Sequence, residues 1–406
     1  MTHHIRYLLA AGAIAALTLI AGCGRRGIQE LVGEELFSLS LGKLEDQIDL
    51  FQLEGTVMTR GNGISMRDGL FYVANGNSGK LMVFSSYGDL IFLLYNPKTN
   101  PPPVIVGSSG NQDLVSTRGS VSYPFVDIGK IAIASDKTVF IEEAVSDANA
   151  VKDVARGITM NRVILRFDRK GEPRGFIGQE GIGGTPFPFI VSLHSTERDD
   201  LVVICRQPDA WRVFWYSPEG ALMYQAEIDG AHLPTPQEKG LIASLSTILA
   251  DQVNPLLYLT IHYYREAIDS STRTQSAVEY VSSRVYTLDL RSKLYGSYVE
   301  LPPIAKRKEK VGLKTTEIPA PPSDLLGVSA SGFYYLLTFS DTNLYTLQVM
   351  DSSGRIRTTR YMVIEDSELS YRDMHLSPTG IIYGLLCDRT KAHISWWRSD
   401  LLLKGE

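Results

Sequence analysis

Five histidines beyond residue 23 are the side chains of this sequence best suited to bind a metal ion. Imidazole nitrogen is a common zinc ligand, and a zinc site usually combines three or four nitrogen, sulfur or carboxylate ligands. No His-Glu-x-x-His motif places two of these histidines on one helical face. They are scattered along the chain, at His194, His232, His262, His375 and His393. Taken alone, they predict neither a metal site nor a catalytic residue.

Other catalytic and cofactor-binding motifs are also missing from the sequence. There is no Gly-x-Ser-x-Gly nucleophile elbow, no nucleotide-binding P-loop and no Asp-x-Asp-x-Asp-Gly calcium loop. Four oxygen-bearing side chains stand at or near the starts of the repeat units described below, at Asn62, Asp127, Asp251 and Asp373. Because Asn and Asp are ordinary turn residues, they do not by themselves indicate a cation site. The sequence predicts no bound cofactor.

Cys23 is the residue whose chemistry the surrounding sequence specifies best. A short basic segment with Arg6 precedes the apolar run Tyr7–Ile20, which has the length of a signal-peptide core and is short for a membrane span. The run ends in Leu19-Ile20-Ala21-Gly22-Cys23, which resembles the bacterial lipobox, although Ile20 stands where that motif usually has Leu. The resemblance implies cleavage before Cys23 and acylation of its thiol. A signal anchor with an incidental cysteine is the alternative.

An acylated Cys23 also predicts where the protein is located. Several acyl chains anchor a protein firmly, since each buried methylene contributes roughly 0.8 kcal/mol. We therefore divide the chain into a lipoprotein signal peptide (1–22), a lipidated tether (23–42) and a folded domain (43–406). We expect the protein to be a membrane-anchored lipoprotein on the periplasmic face of the outer membrane.

The composition limits the function of the folded domain. The chain has 406 residues, of which 44% are hydrophobic and 21% charged, a balance typical of globular proteins. A formal net charge of −5 excludes the broad basic surface of a general nucleic-acid-binding protein. Three cysteines cannot form a disulfide framework. The 20 Tyr and 35 Gly residues suit short strands joined by tight turns.

A repeated three-strand pattern predicts the fold class. Its clearest copy spans 61–90, where one strand, an Asp68-Gly69 turn and two further strands follow each other. Five more copies end their third strands near residues 167, 216, 288, 350 and 397. The copies are about 47 to about 83 residues apart, a range typical of β-propeller blades with insertions. The sequence thus predicts an all-β, six-bladed β-propeller with four-stranded antiparallel blades.

Closure of such a ring requires a strand from outside the six copies, because an open sheet edge promotes aggregation. The segment Gln47–Leu53 alternates polar and apolar residues, so we expect it to pair with the strand His393–Trp397. Two alternatives remain at this point. The strands could form a β-sandwich, and the apolar spacing between Leu241 and Leu249 also fits a helix, although the repeat requires a strand there.

The segment Asn62–Leu90 resembles an NHL-type propeller repeat. A lipobox followed by a propeller is also similar to the propeller lipoprotein of the outer-membrane β-barrel assembly machinery, which typically has eight blades. Some NHL-type propellers resemble amidating lyases that bind a metal in the central channel through histidines of different blades. By this resemblance, His194 and His375 of the opposite blades three and six would share the channel. Propeller lactonases are similar in fold and bind calcium at the channel mouth, for which the candidates are Asn62, Asp127, Asp251 and Asp373.

Two further cysteines, Cys205 and Cys387, fall late in the second strands of blades three and six. These blades are opposite each other in a six-bladed ring, so the cysteines lie beyond the ~7 Å Cα separation that a disulfide allows. We therefore expect two buried, unpaired thiols.

Four insertions between the strands are the best candidates for a binding surface. They cover 97–124, 142–161, 265–282 and 302–323, and the last contains the basic run Lys306-Arg307-Lys308-Glu309-Lys310. Long loops on a rigid scaffold usually either bind a partner or are disordered. The basic loop is either a solvated excursion or a contact for an acidic protein or anionic lipid headgroups. The sequence predicts a noncatalytic scaffold for protein–protein interaction with envelope or outer-membrane proteins, and outer-membrane protein assembly is the narrower hypothesis. The alternative is a metal-dependent NHL-type or lactonase-like propeller enzyme.

Overall fold

Short β-strands account for nearly all the regular secondary structure of the described chain. The computed structural model describes residues 28–51, 61–106, 118–238, 240–268, 275–303, 306–311, 314–319, 322–341 and 343–403. Within these ranges the helical segments are single 3-10 turns, at Asp147–Asn149, Gly230–His232, Asp366–Glu368 and Ser399–Leu401. None of these turns has the length and apolar character needed to cross a lipid bilayer.

Two strands at the start of the described chain precede the blades. They are β1 (Gln29–Glu30) and β2 (Glu34–Ser40). Blade one follows with β3 (Gly63–Arg67), β4 (Leu70–Asn75), β5 (Lys80–Ser85), β6 (Leu90–Tyr95) and β7 (Gly119–Ser122). Next come β8 (Ile131–Ile133) and β9 (Val139–Ala144), then the separate hairpin of β10 (Val151–Asp153) and β11 (Ile158–Met160). Blade two consists of β8 and β9 together with β12 (Arg162–Phe167), β13 (Pro173–Gly178) and β14 (Gly181–Ile182).

The other four blades follow in chain order. Blade three contains β15 (Phe189–Ser195), β16 (Leu201–Arg206), β17 (Ala210–Tyr216) and β18 (Leu222–Asp229). Blade four contains β19 (Leu241–Ala250), β20 (Leu256–Ile268), β21 (Gln275–Asp289) and β22 (Leu294–Glu300). A second separate hairpin joins β23 (Lys306–Val311) and β24 (Lys314–Pro319). Blade five contains β25 (Asp324–Val328), β26 (Tyr334–Asp341), β27 (Leu344–Met350) and β28 (Ile356–Val363). Blade six contains β29 (Tyr371–Leu376), β30 (Ile382–Cys387) and β31 (Lys391–Trp397), and its fourth strand is β2 from the start of the described chain.

The prediction of an all-β, six-bladed propeller is confirmed, and the sandwich alternative is wrong. Each blade is built on an antiparallel four-stranded sheet, and local turn chemistry sets its hairpins. In blade one, Asp68 and Gly69 both have positive φ, of 51° and 76°, as a two-residue hairpin turn requires. A short fifth strand extends three of the sheets: β7 in blade one, β14 in blade two and β1 in blade five.

The hydrophobic core is divided into six layers, one between each pair of neighbouring blades. Between blades three and four, the fully buried Trp215 belongs to the same layer as Leu257 and Ile261. Phe71 and Ile394 lie in the layer between blades one and six, so apolar packing continues around the whole ring. Since each blade contributes to two layers, the loss of one blade would expose both.

The predicted closing strand is wrong, because β2 completes blade six. Glu34–Ser40 pairs antiparallel with β31, from Glu34 opposite Trp396 to Ser40 opposite Lys391. Both β1 and β2 fall within 23–42, the range that the sequence analysis assigned to a tether. The register of β2 shifts between Glu35 and Phe37. Such a bulge interrupts the alternation of side chains by which a strand is recognised in a sequence.

The described part of Gln47–Leu53 packs beside blade one instead, and its last two residues lie outside the described residues. Ile48 and Leu50 are fully buried between blades one and six. Lys80 of β5 is also fully buried, and its ammonium donates a hydrogen bond to the Leu44 carbonyl (2.5 Å). Burial lowers the pKa of Lys80 to about 8, against the opposing effect of nearby carboxylates such as Asp49. This segment is therefore attached to blade one by apolar and polar contacts.

The insertions contain more strand than the sequence analysis expected. In 97–124, β7 pairs parallel with β6 at the outer edge of blade one. In 142–161 and 302–323, the separate hairpins β10–β11 and β23–β24 form. In 265–282, β20 and β21 lengthen into one long hairpin. The repeat pattern required a strand at 246–250, and the structure has the longer strand β19 over 241–250, so the helical alternative there is wrong.

Candidate functional site

The innermost strands of the six blades surround a cavity of about 360 Å³. These strands are β3, β8, β15, β19, β25 and β29. The Tyr371 hydroxyl of β29 donates a hydrogen bond to the Asn62 carbonyl (2.7 Å), and the Ile64 amide donates one to Asp373 (3.0 Å). A step from Tyr371 to Asp373 along β29 thus corresponds to a step from Asn62 to Ile64 at the start of β3, so the two inner strands run in the same direction. Residues at one level of neighbouring inner strands can share a single ligand.

Asp373 and His375 form an ion pair at the wall of this cavity. They are two residues apart on β29, so the alternation of a strand places them on the same side. Asp373 Oδ2 lies 3.0 Å from His375 Nε2. The His375 side chain is 46% exposed and that of Asp373 is 19% exposed. The imidazole is therefore the more accessible member of the pair.

The two members of this pair shift each other's pKa values. Burial in the channel opposes the charge on His375, but the Asp373 carboxylate outweighs burial and raises the pKa of His375. Burial likewise opposes the charge on Asp373, but His375 and the Ile64 amide outweigh it and lower the pKa of Asp373. Both shifts favour the charged forms. The ion pair therefore shifts both groups toward a carboxylate beside an imidazolium.

His194 lies on β15 of the opposite blade and lines the same cavity, as the resemblance implied. Its Nε2 atom is 3.0 Å from the Ser192 hydroxyl oxygen. Burial, together with the nearby charge of His375, lowers the pKa of His194 to about 4. His194 is therefore neutral at neutral pH.

The geometry of these histidines is that of a polar binding site. Within the ranges that the structure describes, no three His, Cys, Asp or Glu side chains are grouped as a metal ion would require. Nε2 of His375 faces Asp373, and Nε2 of His194 faces Ser192. The arrangement can hold a ligand by hydrogen bonds and charge.

Lys130 lines the cavity from blade two, immediately before β8. Its backbone amide donates a hydrogen bond to the Glu142 carboxylate (2.9 Å). Glu142 lies 3.6 Å from Nε of Arg162, and these two side chains are only 3% and 5% exposed. The Lys130 charge is close enough to lower the pKa of both Asp373 and His375. The buried ion pair of Glu142 and Arg162 thus holds the backbone at Lys130 in place.

The sequence analysis missed Lys130 and the pairing of Asp373 with His375. A signal for part of the site was present, because Ser192-x-His194 and Asp373-x-His375 have the same spacing in two inner strands. Residues i and i+2 of a strand share a face. Two polar residues at this spacing, in strands that the repeat places at the channel, indicate a polar wall.

Most of the remaining candidates from the sequence lie away from the cavity, each beside another partner. His232 contacts Asp229, His262 contacts Ser283, and His393 contacts Glu35 and Asp388. Asp127 pairs with Arg162, and Asp251 accepts a hydrogen bond from Tyr258. Of the four calcium candidates, Asn62 and Asp373 are the two among the described residues that line the cavity.

The two cysteines within the described chain are buried and unpaired, as expected. Burial raises the pKa of Cys205 well above that of a free thiol, and raises the pKa of Cys387 to about 12. Because thiolate is the nucleophilic form, both side chains behave as packing residues. Cys23 lies outside the described residues.

Comparison with known proteins extends only to the fold. No family model matches the chain, and no curated protein matches it. It is similar to the propeller of Dos1, with 12% identity, a TM-score of 0.35, and 89% of this chain and 96% of that chain covered. For regucalcin, a calcium-binding protein from Agrobacterium tumefaciens, the identity is 10%, the TM-score 0.39, and the coverage 90% and 95%. For the β-propeller domain of the Trilobed protease from Pyrococcus furiosus, the identity is 9%, the TM-score is 0.34, and the match covers 86% of this chain and 97% of that chain. The chain is a β-propeller, and these structures of different function assign it no activity.

Proposed function

We propose that the protein is a membrane-anchored, noncatalytic β-propeller scaffold that binds another protein in the bacterial cell envelope. The lipobox-like sequence before Cys23 supports the anchor, and the resemblance of Asn62–Leu90 to an NHL-type repeat supports a binding role. In its narrower form, the proposal places the protein on the periplasmic face of the outer membrane. Its partner would then belong to the machinery of outer-membrane protein assembly.

The observation that carries this proposal is an exposed apolar edge strand in blade four. β22 is the outermost strand of its sheet, and its side chains Leu294, Tyr295 and Tyr298 are 67%, 39% and 47% exposed. The Arg284 guanidinium lies 4.3 Å from the centre of the Tyr298 ring and supports that ring at the surface. Exposed aromatic and apolar patches commonly mark protein interfaces. A free sheet edge can also pair with a strand of the partner.

Two hairpins flank β22 along the chain. β20 and β21 have 13 and 15 residues, well beyond the usual strand length of about six. The hairpin β23–β24 follows β22 and pairs Lys306 with Pro319 at one end and Val311 with Lys314 at the other. Residues 306–319 include five basic and two acidic side chains in a chain whose net charge is −5. This charge favours an acidic partner surface.

Replacing Cys23 with Ser should abolish acylation and release the protein from membranes, because a hydroxyl does not take the place of the modified thiol. The measurement is incorporation of labelled palmitate, combined with membrane fractionation. Cys205→Ser is the matched control, since it makes the same change at a buried thiol and should retain both the label and the membrane association. A Cys23→Ser protein that still carries palmitate would contradict the proposed anchor.

A photo-crosslinking residue at Tyr298 should capture the partner in cells, because this ring lies on the proposed surface. Tyr87 is the control position, since it is 89% exposed but lies in blade one. Mass spectrometry should identify one dominant envelope protein at Tyr298 and not at Tyr87. Changing Lys306, Lys308 and Lys310 to Gln should weaken this capture and reduce its sensitivity to salt. The same products at both positions would contradict the proposed surface, and a partner outside outer-membrane assembly would contradict only the narrower form.

A further inference from the structure

We propose that the central channel binds a small organic carboxylate between Lys130, His375 and His194. These residues come from blades two, six and three, and all three line the same cavity. This site is separate from the membrane anchor and from the edge of blade four. It can therefore be tested independently of the proposed scaffold function.

The charge balance of the cavity wall favours an anion. The negative charge of Asp373 is neutralised by His375 at 3.0 Å, and the Ile64 amide donates a further hydrogen bond to the same oxygen. Lys130 contributes a second positive charge, and among the described residues no carboxylate lies within ion-pair distance of its ammonium. When His375 is protonated, Asp373, His375 and Lys130 together carry one net positive charge, which matches a single carboxylate.

The hydrogen-bond donors of these residues also suit a carboxylate ligand. When His375 is protonated, its Nε2–H donates to Asp373 and its Nδ1–H can donate to a ligand. The Ser192 hydroxyl donates to Nε2 of the neutral His194 in one tautomer, which makes Nδ1–H of His194 a second donor. The residues that carry these two donors and the Lys130 ammonium belong to three blades and line one cavity. Charge-assisted hydrogen bonds of this kind are the stronger ones in proteins.

The rest of the wall sets the size and character of the ligand. Ile64, Ile131, Val191, Ile248 and Val328 line the cavity beside the polar groups. A volume of about 360 Å³ is at the lower end of the range of small-molecule sites. A compact monocarboxylate with an apolar body fits both parts of this wall. Inorganic phosphate, which is more highly charged and has no apolar surface, would leave the apolar side chains without contact.

Benzoate is a suitable probe, and isothermal titration calorimetry on the purified full-length protein is the measurement. We expect saturable, one-to-one binding that inorganic phosphate at the same concentration does not displace. Lys130→Met should weaken benzoate binding at least about tenfold, which corresponds to 1.4 kcal/mol. Lys98→Met is the matched control, because Lys98 is an exposed lysine of blade one that does not line the cavity, and it should leave the affinity unchanged.

His375→Asn provides a second variant, because Asn retains a polar side chain but removes the cationic donor. The His375→Asn protein should also bind benzoate about tenfold or more weakly. An unchanged melting temperature should show that the propeller is still folded. Three results would overturn the proposal. They are the absence of saturable benzoate binding, equal affinity in the Lys130→Met protein, and displacement of benzoate by phosphate, which would indicate a general anion site.

Discussion

A chain that begins at Leu41, and therefore lacks both β1 and β2, is expected to lose cooperative folding. β2 supplies the fourth strand of blade six, and Leu39 lies in the core layer between blades six and one. Phe37 also packs against Phe71 and Phe84, with ring centres 6.0 and 5.3 Å away. Full burial of a side chain such as Leu39 contributes about 1.5–3 kcal/mol, the half-buried Phe37 contributes less, and the net stability of a domain is only about 5–15 kcal/mol. Removing the strand should therefore lower the free energy of unfolding by a large part of its value.

Thermal unfolding followed by near-ultraviolet circular dichroism measures this effect. The control is a chain that begins at Ile28, which keeps every described residue and should melt like the full-length protein. Adding a peptide of residues 28–41 to the shorter chain should restore part of its tertiary signal. If the chains beginning at Ile28 and Leu41 had the same melting temperature, β2 would not be the strand that closes the ring.

Arg162→Met is expected to destabilise the propeller by about 3–5 kcal/mol, the usual effect of removing one member of a buried ion pair. Arg162 contacts Asp127 at 2.5 Å and Glu142 at 3.6 Å, and it is 5% exposed. Burial raises the pKa of the adjacent Glu143, and Arg162 opposes that shift. Without the arginine, the pKa of Glu143 should rise further. Because a raised carboxylate pKa costs stability as the pH increases, the loss should be larger at neutral than at mildly acidic pH.

Urea unfolding at the two pH values measures this change. Arg174→Met is the matched control, since Arg174 pairs with Asp168 at 2.6 Å but is 61% exposed. An exposed pair of this kind contributes at most about 1 kcal/mol. The double variant Arg162→Met with Glu142→Gln should recover part of the stability, because it removes one uncompensated buried charge. Equal effects of the two single arginine variants would show that burial of the Arg162 pair is unimportant.

The blades could be predicted from sequence because their signal is local, and the exceptions have a common cause. The register of β2 shifts between Glu35 and Phe37, and that of β19 shifts between Leu245 and Thr247. A bulge moves the following side chains to the other face of the strand. In β2 this hid the strand from the sequence analysis. In β19 it produced an apolar spacing that also fits a helix, and only the repeat decided in favour of a strand.

The candidate site could be predicted only in part, because its members are distant in sequence. The blade count placed His194 and His375 in opposite blades, and both do line the channel. The pairing of His375 with Asp373 was recoverable from their spacing on one strand. Lys130 was not recoverable, since its position depends on the buried contact between Glu142 and Arg162. Nothing in the local sequence around Lys130 distinguishes it from a surface lysine.

The pairing of β2 with β31 also fixes the order in which this protein can fold. The hydrogen bond from Trp396 to Glu34 joins residues 362 positions apart, so the ring closes only after almost the whole chain has been synthesised. Closing so long a loop adds an entropic barrier, and folding rates fall as contacts become more distant in sequence. Until β31 is present, β2 has no partner strand and blade six lacks its fourth strand.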